Sequence, residues 1–173
     1  FYDQAKLLNP FIDFFYFDVL SSVREFKLAI EAIEGFNKPY LIGAHISEGV
    51  KLPSGEKISE IVTTIDHKNL LGIILSCVSP ENYEQNLNEL KSLGIPFGFK
   101  LNGFMTTNPD KGYTDNFNKS KTGNPNEFLG HREDLMPEKM ALIAKKFQEA
   151  GATILGGCCE TRPAHIKEIA KLK

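Results

Sequence analysis

The chain has 173 residues, 42% of them hydrophobic and 24% charged, proportions that exclude a disordered tail or a fibre and leave a globular domain. Twenty Lys and Arg stand against 22 Asp and Glu, a formal charge of -2 with no dense basic run, so nucleic acid is not an expected partner. No apolar stretch reaches the roughly 20 residues of a membrane span, and Phe1 to Lys6 lack the basic start and apolar heart of a secretion signal, which points to the cytoplasm.

In chain order, Phe11–Val19 reads as a first buried strand, followed by helical apolar spacing over Val23–Phe36. Tyr40–Ile46 reads as a second strand with a helix at Ile58–His67, and Leu70–Cys77 as a third with a helix at Glu81–Leu93. Ile95–Leu101 is the fourth, Thr153–Leu155 the fifth, and helices are expected at Glu138–Ala150 and Ala164–Leu172. Ser79-Pro80, Pro137 and Pro163 mark helix starts, while Gly94 and Gly151 mark helix ends. Strands that are apolar nearly throughout and alternate with helices imply an α/β fold with a parallel sheet. The stretch Gly103 to Met136, rich in Asn, Lys, Gly, Thr and Pro, is expected to leave this rhythm as an excursion over the sheet's carboxyl edge. With no repeat or linker, residues 1–173 read as one domain.

Polar residues gather where these strands end: Asp18 on the first, His45 and Ser47 on the second, Cys77 on the third, Asn102 on the fourth, Cys158 and Cys159 on the fifth. Parallel α/β folds carry their chemistry at carboxyl strand ends, so Asp18, His45 and Asn102 are candidate substrate-binding residues. Taken singly, a strand-end Cys or His is more often a packed or hydrogen-bonded core residue. A carboxylate after Phe14-Phe-Tyr-Phe is harder to dismiss, because burial without a partner is costly.

Three cysteines leave at least one thiol outside any internal disulfide, and Cys158 and Cys159 are adjacent. Buried thiols, a redox site and a metal site are the readings left. In Ile154-Leu-Gly-Gly-Cys-Cys-Glu-Thr-Arg-Pro-Ala-His165, the two glycines are expected to turn the backbone so that both thiols face one ion. Cys77 would supply a third sulfur, giving a soft set suited to zinc with one tetrahedral position left open. His165 falls inside the last helix, poorly placed to close that position. A vicinal disulfide and inert packing stay as rivals. Three thiolates on zinc carry a net negative charge, which suits activation of an incoming thiol for alkylation better than hydrolysis.

The segment Gly156-Gly-Cys-Cys-x-Thr-x-Pro-x-His-Ile166 resembles the homocysteine S-methyltransferase family, which includes betaine-dependent, S-methylmethionine-dependent and cobalamin-linked enzymes. Asp13–Asp18, Leu52–Val62, Cys77-Val-Ser-Pro80 and Leu101-Asn-Gly103 resemble further family stretches. The resemblance implies a (β/α)8 TIM barrel of which this chain supplies about the last five βα units. It also implies zinc on Cys77, Cys158 and Cys159, the amino group of homocysteine near Asp18, and methyl transfer from an activated small-molecule donor to give methionine. Because such barrels need about 250 residues, the open edges are expected to meet a missing N-terminal segment or a homo-oligomeric partner. Two residues depart from the family pattern: Asp18 replaces the usual Glu, and Glu160 the usual Gly. Tyr113, Phe117 and Phe128 are candidates to cradle a cationic donor. The rival functions are a non-catalytic zinc or thiol module, a subunit fragment of a larger methyltransferase such as cobalamin-dependent methionine synthase, and thiol redox chemistry at Cys158-Cys159.

Overall fold

The computed structural model describes residues 1–65, 67–106 and 126–173. Five strands, β1 (Phe15–Leu20), β2 (Tyr40–His45), β3 (Leu70–Val78), β4 (Phe97–Leu101) and β5 (Ile154–Gly157), form one parallel sheet in the order β1-β2-β3-β4-β5. Helices α1 (Tyr2–Leu8), α2 (Val23–Glu31), α3 (Ile58–Thr64), α4 (Pro80–Ser92), α5 (Pro137–Glu149) and α6 (Pro163–Ile169) accompany them. The strands follow one another both in sequence and in space, and because crossovers between parallel strands are right-handed as a rule, such an order puts the connecting helices on one face. The α/β expectation is met in this form. Among the described residues no helix is long and apolar enough to cross a membrane.

Local chemistry sets the helix starts. Ser22 accepts the Glu25 N–H at 3.1 Å while Glu25 accepts the Ser21 N–H at 2.6 Å, a reciprocal cap that opens α2. Ser79 accepts the Asn82 N–H at 3.1 Å, and Pro80, Pro137 and Pro163 occupy first turns where a missing N–H costs nothing. Helix α2 stops at Glu31, before the expected Phe36, because Glu34–Phe36 tightens into a 3-10 turn and Asn37 adopts φ 51°.

The N-terminal segment departs from the expected strand over 11–19. It begins with α1 and a 3-10 turn at Asn9–Phe11, and Phe11 is 85% exposed. Pro10 fixes the turn, and the Lys38 ammonium binds the Asn9 and Ile12 carbonyls, so extended backbone resumes only at Phe15.

The sheet has two unlike faces. Phe17, Ile42, Ala44, Ile73, Leu75, Phe99 and Leu101 belong to the main core beneath the helices, where Tyr83, Phe99 and Phe147 meet with ring centroids 4.6–5.7 Å apart. Strand alternation and the cross-strand pairs Tyr16/Leu41, Gly43/Ile74, His45/Ser76, Ser76/Lys100 and Lys100/Gly156 put a smaller, more polar set on the opposite face. Gly43 is obligatory there. A Cβ on it would lie 2.6 Å from Ser76 Oγ and 2.8 Å from the Tyr16 hydroxyl.

Candidate metal centre

The carboxyl ends of β1 and β3 are not regular. Between Phe17/Ile42 and Leu20/Ala44, β1 carries one extra residue, and between Ser76/Lys100 and Val78/Leu101, β3 carries another. Val19 and Cys77 sit at these bulges with φ 59° and 55°. Left-handed backbone costs a non-glycine residue about 1–3 kcal/mol, and such strain gathers where a side chain must be re-aimed. At β3 the bulge keeps Val78 in the apolar core while Cys77 sits half-buried at the strand end.

The loops after β3, β4 and β5 are tied into one platform. Asn102 N–H donates to the Val78 carbonyl (2.9 Å), Gly103 N–H to Cys159 (3.0 Å) and Cys158 N–H to Leu101 (2.7 Å). Gly156 and Gly157 are not the turning residues. They stay within β5, and the left-handed position falls on Glu160, φ 62°, the residue that stands in place of the family glycine. Gly157 is needed for a different reason: a Cβ there would lie 2.4 Å from Thr161 Oγ1, the hydroxyl that closes the turn onto the Cys158 carbonyl.

On this platform three thiols converge. Cys77 and Cys159 sulfurs lie 3.7 Å apart, Cys158 and Cys159 sulfurs 3.9 Å apart, and all three lie within 4.8 Å of one another, unbonded. Tetrahedral zinc with Zn–S near 2.3 Å sets its sulfurs about 3.8 Å apart, so the donor set fits such an ion in both softness and spacing. In the metal-free chain the Cys158 thiol is brought down to about 6, first by the hydrogen bond from Cys77, then by the Cys159 N–H and the Lys100 charge. Cys77 is pushed upward by that same Cys158 contact and by burial. Two of the three sulfurs thus hold protons that a metal would displace.

Asn102 is fully buried. Its amide donates to the Cys77 carbonyl at 2.7 Å, lies 3.8 Å from the Cys77 sulfur and accepts the Phe104 N–H at 3.3 Å. His45 ends β2 beside Ser76, its Nδ1 buried without a hydrogen-bond partner among the described residues. Asp18 accepts the Tyr16 hydroxyl at 2.7 Å on one oxygen and the Lys100 ammonium at 2.5 Å on the other. Burial opposes ionisation of Asp18, but the hydrogen bonds from Lys100 and Tyr16 outweigh it and hold the carboxyl below its usual range. Tyr16 also shares a 2.7 Å hydrogen bond with Ser76, and burial pushes its phenol upward. Tyr16, Ser76 and Lys100 are additions to the residues expected from sequence. The lone charge in Phe97-Gly-Phe-Lys-Leu101 was a signal of the same kind as Asp18.

His165 stays apart from the sulfurs. Its Nδ1 accepts the Arg162 N–H at 3.0 Å, so Nε2 carries the proton and donates to the Leu135 carbonyl at 3.0 Å. It caps α6. Tyr113 and Phe117 lie outside the described residues, and Phe128 sits in a 3-10 turn at Glu127–Leu129, 40% exposed.

The homocysteine S-methyltransferase family model matches residues 1–172. The chain belongs to this family. Homocysteine S-methyltransferase 1 of Saccharomyces cerevisiae is 30% identical over 94% of this chain and 48% of its own length, and homocysteine S-methyltransferase 1 of Zea mays is 24% identical over 92% and 46%. The chain therefore spans about half the length of these curated relatives. Among solved structures, the apo form of the homocysteine methyltransferase MmuM from Escherichia coli superposes with TM-score 0.71 at 18% identity over 98% of this chain and 53% of that one. Its metallated form gives 0.64 at 19% identity over 98% and 48%. At this identity the likeness speaks for the fold.

Proposed function

We propose that the chain takes part in transferring a methyl group from an activated small-molecule donor to the thiol of homocysteine, giving methionine, with zinc held by Cys77, Cys158 and Cys159. The convergence of three sulfurs from two distant strands at tetrahedral spacing carries this reading. Zinc there would supply a fourth position for the acceptor sulfur and lower its thiol pKa below the free value of about 8.5. The chain's own residues do the rest. Asn102 holds Cys77 by its carbonyl and fixes the direction of that sulfur, acting as a positioning residue. Asp18 and His45 stand at the neighbouring strand ends, on the side where the acceptor's polar head would lie. As the S–CH3 bond forms the donor–CH3 bond breaks, and the thiol proton passes to solvent, so no protein base is required.

The stepwise parallel sheet and its match to about half of MmuM support placing these strands as the last five units of a (β/α)8 barrel. The half-length coverage of relatives favours one rival, a metal-holding module that works as part of a larger methyltransferase. Supplying the zinc-loaded chain with homocysteine and a panel of sulfonium, ammonium and cobalamin-linked donors separates them. Methionine formation is expected; a chain that holds zinc yet is inert to every donor would defeat the enzymatic reading.

A further inference from the structure

Tyr16 lies on β1 and Ser76 on β3, yet their hydroxyls share a 2.7 Å hydrogen bond across the strand between them. Gly43 of β2 makes this bridge possible, because a Cβ there would lie 2.6 Å from Ser76 Oγ and 2.8 Å from the Tyr16 hydroxyl. The bridge ends on Asp18, whose Oδ1 accepts the Tyr16 hydroxyl at 2.7 Å. An ionised carboxylate only accepts and a phenol has one proton, so Ser76 is left to donate to the Tyr16 oxygen, and the chain runs from Ser76 through Tyr16 to Asp18. Burial works against the charge on Asp18, and the hydrogen bonds from Lys100, Tyr16 and Ser76 overcome it.

Asp18 is therefore held by two arms of different kinds. Lys100 reaches Oδ2 at 2.5 Å with a cation on a flexible four-carbon stem, and an ammonium arriving at the same carboxylate repels it. The Tyr16 hydroxyl is neutral, so it stays on Oδ1 when a second cation arrives and takes no charge from Asp18. The Asp18 side chain keeps 38% of its surface exposed, and each of its oxygens has a second lone-pair site, which leaves room for a ligand's donor beside both arms. The carboxylate also needs holding. Val19, the next residue, sits in the β1 bulge with φ 59°, so regular pleating does not fix the direction of this strand end.

We propose that Tyr16 is a positioning residue for the thiol acceptor: its hydroxyl, backed by Ser76, sets the Asp18 carboxylate in the direction that receives the acceptor's ammonium. The assignment rests on the thiol-methylation reading above. It makes recognition of the amino group depend on a neutral side chain that acts through Asp18 alone.

Isothermal titration of the zinc-loaded chain with homocysteine and with its deaminated analogue 4-mercaptobutanoate tests this directly. Tyr16→Phe keeps the ring and removes the hydroxyl. It should weaken homocysteine about fivefold to tenfold, the scale of one hydrogen bond, while 4-mercaptobutanoate and zinc stay within about twofold. Ser76→Ala should show the same selective loss at about threefold, and it decides the matter if Tyr16→Phe fails to fold. In an Asp18→Asn background, Tyr16→Phe should cost homocysteine less than about twofold, because the two residues act as a unit. A merely structural tyrosine would weaken both thiols alike or neither. Equal losses for the two thiols, homocysteine binding unchanged in whichever variant folds, or full additivity with Asp18→Asn would overturn the assignment. Two thiols bound equally by the unaltered chain would leave Asp18 without an ammonium, and would overturn the assignment while sparing the thiol-methylation reading. If the unaltered chain binds neither thiol, that reading itself falls and takes this role with it.

Discussion

The two faces of the sheet are built on opposite principles. Beneath the helices, Phe99, Phe147, Tyr83 and their neighbours act through area and shape, and many apolar side chains share the load. Across the sheet, Tyr16, Asp18, Ser76 and Lys100 act through a chain of hydrogen bonds in which each member has a named partner, beside a sulfur cluster held by one buried amide. Damage to the first face should be paid for in stability, damage to the second in ligand and metal affinity.

That contrast can be broken. The largest expected effect is from Cys77→Ser, which should abolish zinc uptake in equilibrium dialysis while the circular dichroism spectrum is kept; a variant that unfolds on losing the metal would make the centre structural. Next, Phe147→Ala should cost about 3–5 kcal/mol in urea unfolding yet leave the zinc affinity of the folded fraction unchanged. A fall in both would show that the faces are coupled through β4. Gly43→Ala strikes the polar face and the β1 backbone beneath it: its new methyl would crowd Ser76 Oγ, the Tyr16 hydroxyl and the Phe17 carbonyl, costing about 1–3 kcal/mol and weakening acceptor binding along with stability.

A finer test uses pH in the metal-free chain. Cys158, brought down to about 6 by Cys77, the Cys159 N–H and Lys100, has an ordinary unfolded value near 8.5. A lowered thiol stabilises the fold fully above the unfolded value, and that contribution is lost as pH falls through 6. Stability from this group should therefore rise between about pH 6 and 8.5. Cys77 and Cys159, both shifted upward, oppose it only above that window. Urea midpoints in chelator, with iodoacetamide labelling of Cys158 read by mass spectrometry, check it; half-labelling near 8.5 would contradict the sulfur environment described. The smallest effect is expected from Glu160→Gly, which relieves a left-handed residue at the cost of glycine entropy and of the 3.2 Å pair with His131, for a net change within about 1 kcal/mol.

Much of this organisation is legible in the sequence, and the limits have physical causes. Ser79-Pro80 and Pro163 announce their helices because capping is local chemistry, and the cysteines stand out because thiols at strand ends are a pattern of residue type and position. Helix α1 is not announced: its Leu7 and Leu8 are 74% and 52% exposed, so its apolar residues do not mark a single inward face. Nor are the bulges, because Val19 and Cys77 carry none of the glycine or asparagine that usually flags positive φ. The Asp18–Lys100 pair, 82 residues apart, depends on the alignment of strands that are not even neighbours, which no local signal encodes.

The bulge in β3 has a consequence for how this chain tolerates change in length. Cys77 is a spare count near the carboxyl end of the strand, a phase shift that lets Ser76 and Val78 take opposite sides of the sheet with a thiol between them. Removing any single residue from 76–78 would restore strict alternation and drop one of these side chains from the place it occupies. Insertions and deletions in this tripeptide should thus be more damaging than most substitutions there, whatever the chemistry of the residues that remain.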